Sequence, residues 1–286
     1  MHFSSSRSAA AGCHSERARE LDRRISVLPG GTTAMRIGII GTGNIGATLT
    51  RKLSAAGHLV QVANTRGPQS ITEISREAGC VAVTLDDVTH DVELLVTCIP
   101  FARMPDIKSV ISRLPDDVPV ADTSNYYPHR DARIAEIDEG KPEGLWVQQQ
   151  LGRPVIRAWN ALVQTTLAAG GRPKGDADRL AVPVAGTDSA AKHKVMGLVD
   201  DSGFDPVDAG TVDDTWRLQM GAPAYCTELS AEQMQRALRL AGRDDVLARR
   251  DALLTIIGSW EPSQSFFQDV VALNRAAAGL HTLIEP

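Results

Sequence analysis

The sequence predicts an α/β fold, a doubly wound parallel sheet followed by a smaller, mainly helical C-terminal portion. Short β-branched runs alternate with longer helical patterns from Met35 to about residue 210. Most of these runs are apolar almost throughout, as in strands that are covered on both faces of a parallel sheet. Beyond residue 210 only helical patterns follow. Alternation of this kind is typical of a doubly wound sheet, and the remainder indicates a helical addition.

Eight apolar runs are predicted as strands. In chain order they are Arg36–Ile40, Leu59–Ala63, Val81–Thr84, Glu93–Cys98, Val118–Asp122, Val155–Trp159, Leu180–Ala185 and Phe204–Val207. In an open α/β sheet, ligands bind beyond the carboxyl ends of the strands. The residues that follow these runs are therefore the first candidates for a functional site.

Helices are predicted between the strands and after the last of them. The first carries an apolar stripe over Ile45–Ala56, and Gly57 follows as its C-terminal cap. The second is predicted to begin with a capping box, Ser70–Glu73. The mostly polar residues 129–150 are predicted to form a helix and a long loop, a length typical of functional lids. The other helices are Met104–Leu114, Ala161–Ala169, Ser189–Ser202, Ser230–Ala241, Asp245–Ile257 and Phe266–Leu280.

Composition excludes several classes of function. The chain has 286 residues, of which 43% are hydrophobic, enough to bury a core in one or two domains. Its 30 basic and 35 acidic residues give a net charge of −5 without a long basic run. We therefore expect neither nucleic acid nor a membrane as partner. The cysteines are far apart in sequence, so we expect no metal site and a reducing, cytoplasmic location.

A glycine turn directly follows the first predicted strand and opens the first helix. Gly41 allows the tight turn, Gly43 lets a phosphate approach the backbone, and Gly46 lets the helix pack closely on the sheet. Free N–H groups and the positive end of the helix then face a pyrophosphate. A merely structural turn is the alternative. We predict a dinucleotide in a Rossmann-type domain, bound by Gly41, Thr42, Gly43, Asn44, Ile45 and Gly46.

The end of the second predicted strand indicates which dinucleotide binds. NAD-binding proteins carry Asp or Glu there, and that carboxylate would repel a 2′-phosphate. This chain has Asn64, Thr65 and Arg66 instead, and Ser70 follows shortly afterwards. The guanidinium of Arg66 can pair with a phosphate, and the two hydroxyls add donors. These four residues therefore predict NADP(H). A solvated Arg66 and a plain helix cap at Ser70 are the alternatives.

Three segments follow from these patterns. Residues 1–34 are rich in Ser, Ala and Arg and are predicted to be a disordered tail or an extension from an upstream start. An organellar presequence is the alternative, although such segments avoid the acidic residues found here. Residues 35–178 are predicted to form the NADP-binding Rossmann domain. Residues 179–286 are predicted to form a smaller C-terminal domain that is helical after about residue 210.

Six segments between residues 35 and 215 carry a resemblance to a known family. They are Ile39–Gly46, Asn64–Pro68, Val96–Pro100, Asp122–Asn125, Val155–Asn160 and Gly203–Gly210. Together they resemble the NADPH-dependent coenzyme F420 (deazaflavin) reductases and their dinucleotide-binding relatives. The resemblance implies hydride exchange between NADP(H) and coenzyme F420 as co-substrate. Two departures are mild: Trp159 stands where the family usually has Phe, and Thr65 where it has Ser.

The reaction site is expected at the ends of the central strands. The resemblance implies that Cys98, Ile99 and Pro100 flank the ribose and nicotinamide of the cofactor. It also implies that Asn125 and Asn160 bind the carboxamide or the ring of the hydride partner, so Asn160 is a candidate catalytic residue. Cys98 is interpreted as a small buried residue rather than a nucleophile. Hydride transfer to a deazaflavin requires alignment more than acid–base chemistry.

Two other functions stay open. An NADPH-dependent reductase of a small carbonyl compound or metal chelate would need a proton donor, for which His129 is the candidate; an ordinary loop histidine is the alternative. A non-catalytic NADP(H) sensor would need no catalytic residue. For either enzyme, the expected partner is a small-molecule hydride acceptor or donor. The apolar C-terminal helices and the resemblance are consistent with a homodimer.

Overall fold

Six parallel strands form the main sheet, in the order β3-β2-β1-β4-β5-β6. The computed structural model describes residues 34–261 and 263–280. From β1 the chain proceeds outward to β2 and β3, then crosses to β4 on the other side. The strand order therefore reverses between β1 and β4, which confirms the doubly wound, Rossmann-type fold. The strands are β1 (Arg36–Ile40), β2 (Leu59–Ala63), β3 (Val81–Ala82), β4 (Leu94–Thr97), β5 (Val120–Asp122) and β6 (Val155–Arg157).

The carboxyl ends of the central strands are level with one another. Ile40 is the register partner of both Ala63 and Thr97. Thr97 pairs in turn with Asp122, and Asp122 pairs with Arg157. The residues that follow these strands therefore lie along one edge of the sheet. This edge includes the point where strand order reverses, which is where α/β sheets bind ligands.

Helix α1 (Asn44–Ala55) connects β1 to β2 and packs on the sheet through its apolar face. Leu49 and Leu53 are fully buried in the core on that face. Gly57, with a φ of 95°, follows the helix and donates its N–H to the carbonyl oxygen of Ser54. The predicted glycine at the end of this helix is thus confirmed.

The second predicted helix begins later than expected. Pro68–Ile71 form a 3₁₀ turn, and α2 comprises Thr72–Ala78. The Ser70 hydroxyl lies within hydrogen-bonding distance of the carbonyl oxygen of Gly67 and the side chain of Asn64. It caps no helix, so the predicted capping box was wrong. The left-handed Gly67 and the proline that follows it produce a tight turn before the helix starts.

Strands β3 and β6 each end two residues before the apolar runs that predict them do. β3 ends at Ala82 rather than Thr84 because Thr84 starts a turn, in which its carbonyl oxygen accepts from the N–H groups of Asp87 and Val88. β6 ends at Arg157 rather than Trp159 because Trp159 has a φ of 58°, which interrupts an extended chain. The other strand boundaries differ from the prediction by two residues at most.

Residues 128–151 form three short helices rather than one helix and a long loop. They are α4 (Pro128–Asp131), α5 (Ala135–Asp138) and α6 (Glu143–Leu151). The Trp146 ring of α6 stacks on Phe101 with 4.6 Å between the ring centroids. The predicted long loop was wrong, because the apolar side chains of this segment pack into the core. Upstream, the predicted helix Met104–Leu114 is a 3₁₀ helix, Phe101–Ile107, followed by α3 (Lys108–Ile111).

A second, two-stranded sheet packs beside β6. Strands β7 (Ala181–Val184) and β8 (Asp205–Asp208) are parallel and are connected by α8 (Ser189–Asp201). Arg157 of β6 and Ala185 exchange backbone hydrogen bonds of 2.8 and 3.0 Å in an antiparallel bridge. The second sheet therefore continues the edge of the first. Between β6 and this sheet lies α7 (Gln164–Ala169).

The C-terminal portion is helical, as the sequence predicts. A 3₁₀ helix, Val212–Leu218, leads into α9 (Ala231–Leu240), α10 (Arg243–Gly258) and α11 (Phe266–Ala277). Ser230 caps α9 in a capping box with Gln233. In the described part of the chain, no strand follows β8.

The predicted division into three segments stays a prediction. The prediction of a tail over residues 1–34 falls outside the described residues except for Ala34. The boundary between residues 178 and 179 stays a prediction. Val182 and Val184 of β7 share one hydrophobic core with Ile37 of β1. In the part of the chain that the structure describes, no helix is both long and apolar enough to cross a bilayer.

The packing of α1 on the sheet yields a testable prediction. A Cβ on Gly46 would lie 2.0 Å from the carbonyl oxygen of Gly41 and 3.1 Å from the Cβ of Cys98. Because backbone atoms cannot move aside easily, Gly46→Ala should lower the free energy of unfolding by about 1–3 kcal/mol, measured by urea denaturation.

Gly197→Ala in α8 is the matched control, since a Cβ there meets no atom within 4 Å. Alanine should raise stability at this helical position by about 0.5–1 kcal/mol. A Gly46→Ala variant as stable as the wild type would contradict the close approach of α1 to the strand ends.

Candidate functional site

A cavity of about 530 Å³ lies at the edge of the sheet where the strands end. This volume is typical of pockets for small ligands, which measure roughly 300–1,000 Å³. The glycine turn and the ends of β4 and β5 form one side of it. The lining residues on this side are Gly43, Asn44, Ile45, Cys98, Ile99, Pro100, Thr123, Ser124 and Asn125. The cavity therefore joins the predicted dinucleotide turn to the predicted reaction site.

The opposite wall of the cavity is apolar and comes mostly from the C-terminal portion. Helices α10 and α11 contribute side chains to it, as do the segments before α7 and α9. The apolar lining residues are Leu162, Val163, Met220, Leu254, Ile257, Phe266, Phe267 and Val270. Such a wall excludes water from a ligand that lies against the strand ends.

The three glycines of the turn have different surroundings. Gly41 has a φ of 107°, and a Cβ on it would lie 2.2 Å from the carbonyl oxygen of Cys98. Gly46 is equally crowded by the backbone of Gly41. A Cβ on Gly43, by contrast, would meet no atom within 4 Å. The turn is thus fixed by close packing at its two ends and open to the cavity at its middle.

Asn64 ties the glycine turn to the loop after β2. Its side chain is 9% exposed, and its Nδ2 donates to the hydroxyl oxygen of Thr42 at 3.0 Å. Its Oδ1 accepts the backbone N–H of Arg66 at 2.9 Å and lies 3.1 Å from the Ser70 hydroxyl. Asn64 therefore sets the shape of this loop. The side chains of Thr65 and Arg66 are exposed, and Arg66 forms no ion pair with any described residue.

The two predicted asparagines meet at the end of the sheet but differ in their access to the cavity. Asn125 lines the cavity, whereas Asn160 is 1% exposed and lies behind it. Nδ2 of Asn160 donates to Oδ1 of Asn125 at 3.2 Å and to the carbonyl oxygen of Leu218 at 2.8 Å. Nδ2 of Asn125 donates to the carbonyl oxygen of Asn160 at 2.8 Å. This geometry makes Asn160 a positioning residue for the Asn125 amide.

His129 lines the cavity with an exposed side chain. Its ring centroid lies 5.8 Å from that of Tyr127, and its nitrogens make no hydrogen bond with the other described residues. The structure thus places this candidate proton donor where a cavity ligand could reach it.

Cys98 lines the cavity and is half-buried, but its thiol is not an activated group. Burial raises its pKa to about 12, so it stays protonated and is a poor nucleophile. This argues against a nucleophilic Cys98, but the residue is half-buried rather than fully buried as the sequence predicts. Among residues 34–261 and 263–280, no cluster of three or more His, Cys, Asp or Glu side chains is arranged to hold a metal ion.

Tyr127 and Tyr225 form a hydroxyl pair on the cavity wall that the sequence does not reveal. Their hydroxyl groups are hydrogen-bonded to each other, and both residues line the cavity. The two lie 98 positions apart. No motif or periodicity connects them, because the contact arises only when the C-terminal portion folds over the sheet.

A second unpredicted feature is a buried charge cluster directly behind the strand ends. Arg157 pairs with Asp122 and Glu143, and no side chain of the three is more than 2% exposed. Nη2 of Arg157 also donates to the carbonyl oxygen of Ser124, the residue before Asn125. The cluster therefore joins β5, β6 and α6 and fixes one wall of the cavity. Of the three residues, only Asp122 stands at the end of a predicted strand.

Comparison with known proteins places the chain among NADP oxidoreductases. The family model described as "NADP oxidoreductase coenzyme F420-dependent" matches residues 36–126. The chain is 38% identical over 104 residues to the protein YjhV of Escherichia coli (strain K12), and the match covers 36% of this chain and 75% of YjhV.

Two solved structures share the fold. The hypothetical protein SMa0349 of Sinorhizobium meliloti superimposes with a TM-score of 0.59 and 27% identity, over 69% of this chain and 95% of that protein. An Arthrobacter sp. FB24 protein with the provisional name F420-dependent NADP-reductase gives a TM-score of 0.53 and 24% identity. The latter match covers 63% of this chain and 86% of that protein, and it shows the fold alone.

The buried charge cluster predicts a specific pH dependence of stability. Burial raises the pKa of Glu143 to about 7, above the ordinary value of 4.5. Between these pH values the folded protein keeps a proton that the unfolded chain releases. The contribution of Glu143 to the free energy of unfolding should therefore fall as the pH rises from about 4.5 to 7, by up to about 1.4 kcal/mol per pH unit.

Glu143→Gln should remove this contribution, which urea denaturation at a series of pH values would measure. Glu139→Gln is the control, because Glu139 is exposed on the neighbouring segment. If the difference in stability between wild type and Glu143→Gln is the same at every pH, the carboxyl does not titrate as its burial requires.

Proposed function

Because the chain belongs to the family of coenzyme F420-dependent NADP oxidoreductases, we propose that it exchanges hydride between NADP(H) and a deazaflavin of the F420 type. The observation that carries this proposal is the continuity of the cavity. It extends from the glycine turn past Asn125 to the apolar wall formed by α10 and α11. One cavity thus offers a place for the nicotinamide and for a second ring beside it.

The glycine turn fits the pyrophosphate of a dinucleotide. The open space over Gly43 is where a side chain would obstruct a phosphate, and no side chain caps the N-terminus of α1. The N–H groups of Thr42–Ile45 and the helix dipole would bind the phosphate oxygens. Gly41 and Gly46 contribute indirectly, because they hold the turn against β4.

The loop after β2 fits the 2′-phosphate that distinguishes NADP from NAD. Arg66 is exposed and has no acidic partner among the described residues, so its guanidinium is available to an anion. Asn64 fixes the backbone on which Arg66 and Thr65 stand. The Ser70 hydroxyl lies on the same loop. We place the 2′-phosphate among Thr65, Arg66 and Ser70.

The strand ends fit the nicotinamide half of the cofactor and the acceptor. Bound NADPH would supply the hydride. Ile99 and Pro100 would provide the surface beneath the ring, and the Asn125 amide, held by Asn160, would orient it. The apolar wall, which includes Phe266 and Phe267, keeps water away from the reacting atoms. Such a transfer depends on alignment more than on acid–base catalysis.

A second candidate function is the NADPH-dependent reduction of a small carbonyl compound. The observation that favours it is His129, an exposed imidazole on the cavity wall. Reduction of a carbonyl group requires a proton at the oxygen, which a positioned histidine can deliver. The two candidates differ in whether His129 is needed.

Mixing the protein with NADPH and oxidised coenzyme F420, and recording the deazaflavin absorbance, tests the proposed function. We expect the absorbance to fall at a rate proportional to enzyme concentration, and His129→Ala should leave that rate unchanged. No change at stoichiometric enzyme would contradict the proposal. Oxidation of NADPH by small ketones or aldehydes that His129→Ala abolishes would establish the second candidate instead.

Cofactor choice is tested by Arg66→Ala. Loss of a charged hydrogen-bonding partner should weaken NADPH binding by about 1–3 kcal/mol, or several-fold to a hundredfold. NADH binding should change little because NADH lacks the 2′-phosphate. Fluorescence titration of both cofactors measures this. Arg239→Ala, at an exposed position on α9, is the matched control. An equal loss of affinity for NADH would show that Arg66 does not bind the 2′-phosphate.

A further inference from the structure

The Tyr127–Tyr225 pair is a polar feature on the apolar side of the cavity, and none of the proposed cofactor contacts uses it. Tyr127 follows β5, whereas Tyr225 comes from the segment before α9. Their hydroxyls are bonded to each other, and both residues line the cavity together with Met220 and Val270. Tyr225 is buried and Tyr127 is half-buried, and a buried hydroxyl needs a hydrogen-bond partner.

One of the two hydroxyl hydrogens of the pair is not used in the bond between the tyrosines. Each tyrosine hydroxyl can donate one hydrogen bond, and the bond between the two uses one of their two hydrogens. Neither hydroxyl forms a further hydrogen bond with a nitrogen or oxygen atom of the described residues. The thiol of Cys226 is within hydrogen-bonding reach of the Tyr225 hydroxyl, but burial keeps the thiol protonated, with a pKa of about 12, and a sulfur atom is a weak acceptor. One O–H group is therefore available to a ligand.

Both tyrosines are held in place and remain protonated. The Arg130 guanidinium lies 4.8 Å from the centre of the Tyr127 ring, and the Tyr127 N–H donates to Asp131 at 2.9 Å. On the other side, the Cys226 N–H donates to the carbonyl oxygen of Ala161 at 3.0 Å and fixes the backbone next to Tyr225. Burial raises the pKa of both tyrosines, so they are donors at every physiological pH.

We propose that the hydroxyl pair of Tyr127 and Tyr225 donates a hydrogen bond to the carbonyl oxygen of the second substrate. This rests on the proposed function, because it assumes that the hydride acceptor occupies this cavity. A carbonyl oxygen is common to the deazaflavin ring and to a small ketone or aldehyde. Hydride addition increases the electron density on a conjugated carbonyl oxygen, so a fixed donor there both orients the acceptor and favours the reaction.

A binding experiment tests the pair without relying on turnover. Oxidised coenzyme F420 is titrated into protein saturated with NADP⁺, a combination in which no hydride can move, and deazaflavin fluorescence gives the Kd. Tyr127→Phe and Tyr225→Phe should each weaken F420 binding about tenfold and leave the Kd for NADP⁺ unchanged. The double variant should be little worse than either single one, because the two hydroxyls act as a unit.

Tyr126→Phe is the matched control, and with it all three tyrosines of the chain are tested. The Tyr126 hydroxyl accepts the Ile134 N–H and faces Asp138 rather than the cavity. This variant should lose stability in thermal unfolding but keep wild-type F420 affinity. A loss of affinity equal to that in Tyr225→Phe would mean that only the general fold was disturbed, and it would overturn the inference.

A kinetic experiment distinguishes the two possible sources of the carbonyl oxygen, the deazaflavin ring and a small ketone or aldehyde. With NADPH and a panel of small ketones and aldehydes, kcat/KM should fall about tenfold in both cavity variants if a small carbonyl compound is the acceptor. The tyrosine inference is overturned if the two cavity variants change neither the Kd for F420 nor kcat/KM for the carbonyl compounds. It is also overturned if wild-type protein binds neither F420 nor a carbonyl compound. A tyrosine-dependent Kd for F420 without NADPH oxidation would instead refute the proposed function alone.

Discussion

The site depends on a contact between backbone and backbone at the centre of the sheet. The glycine turn after β1 lies against the end of β4, where the Cys98 N–H donates to the carbonyl oxygen of Ile40 at 2.7 Å. No side chain fits between Gly41 and Cys98, nor between Gly46 and the turn. This contact sets the first turn of α1 beside the residues that follow β4. The cavity begins where these two meet.

The sequence predicts the parts of the site that follow from this contact. Parallel strands with level ends bring consecutive βα connections to one edge, so the positions of Gly43, Arg66 and Pro100 follow from the strand pattern alone. Local chemistry is less predictable even there. Ser70 has the spacing of a helix cap, but Gly67 turns the chain first, and the hydroxyl faces the loop instead.

The apolar wall and the pairs that cross the molecule could not be predicted in the same way. Tyr225 meets Tyr127, and Glu143 meets Arg157, because the C-terminal and middle segments fold back over the sheet. Such contacts depend on tertiary packing, which no periodicity in one sequence encodes. The buried cluster shows the consequence: Arg157 holds the Ser124 carbonyl oxygen, and Asn160 holds the Asn125 amide. Residues without access to the cavity thus determine its shape.

A crystal structure of the protein with NADP⁺ and oxidised deazaflavin tests the central claim most directly. We predict a pyrophosphate over Gly43, a 2′-phosphate beside Arg66, and a nicotinamide next to Asn125. The deazaflavin ring should lie between the nicotinamide and the apolar wall, with a carbonyl oxygen at the Tyr127–Tyr225 pair. A cofactor whose pyrophosphate lies away from the glycine turn, or a deazaflavin bound outside the cavity, would contradict the account.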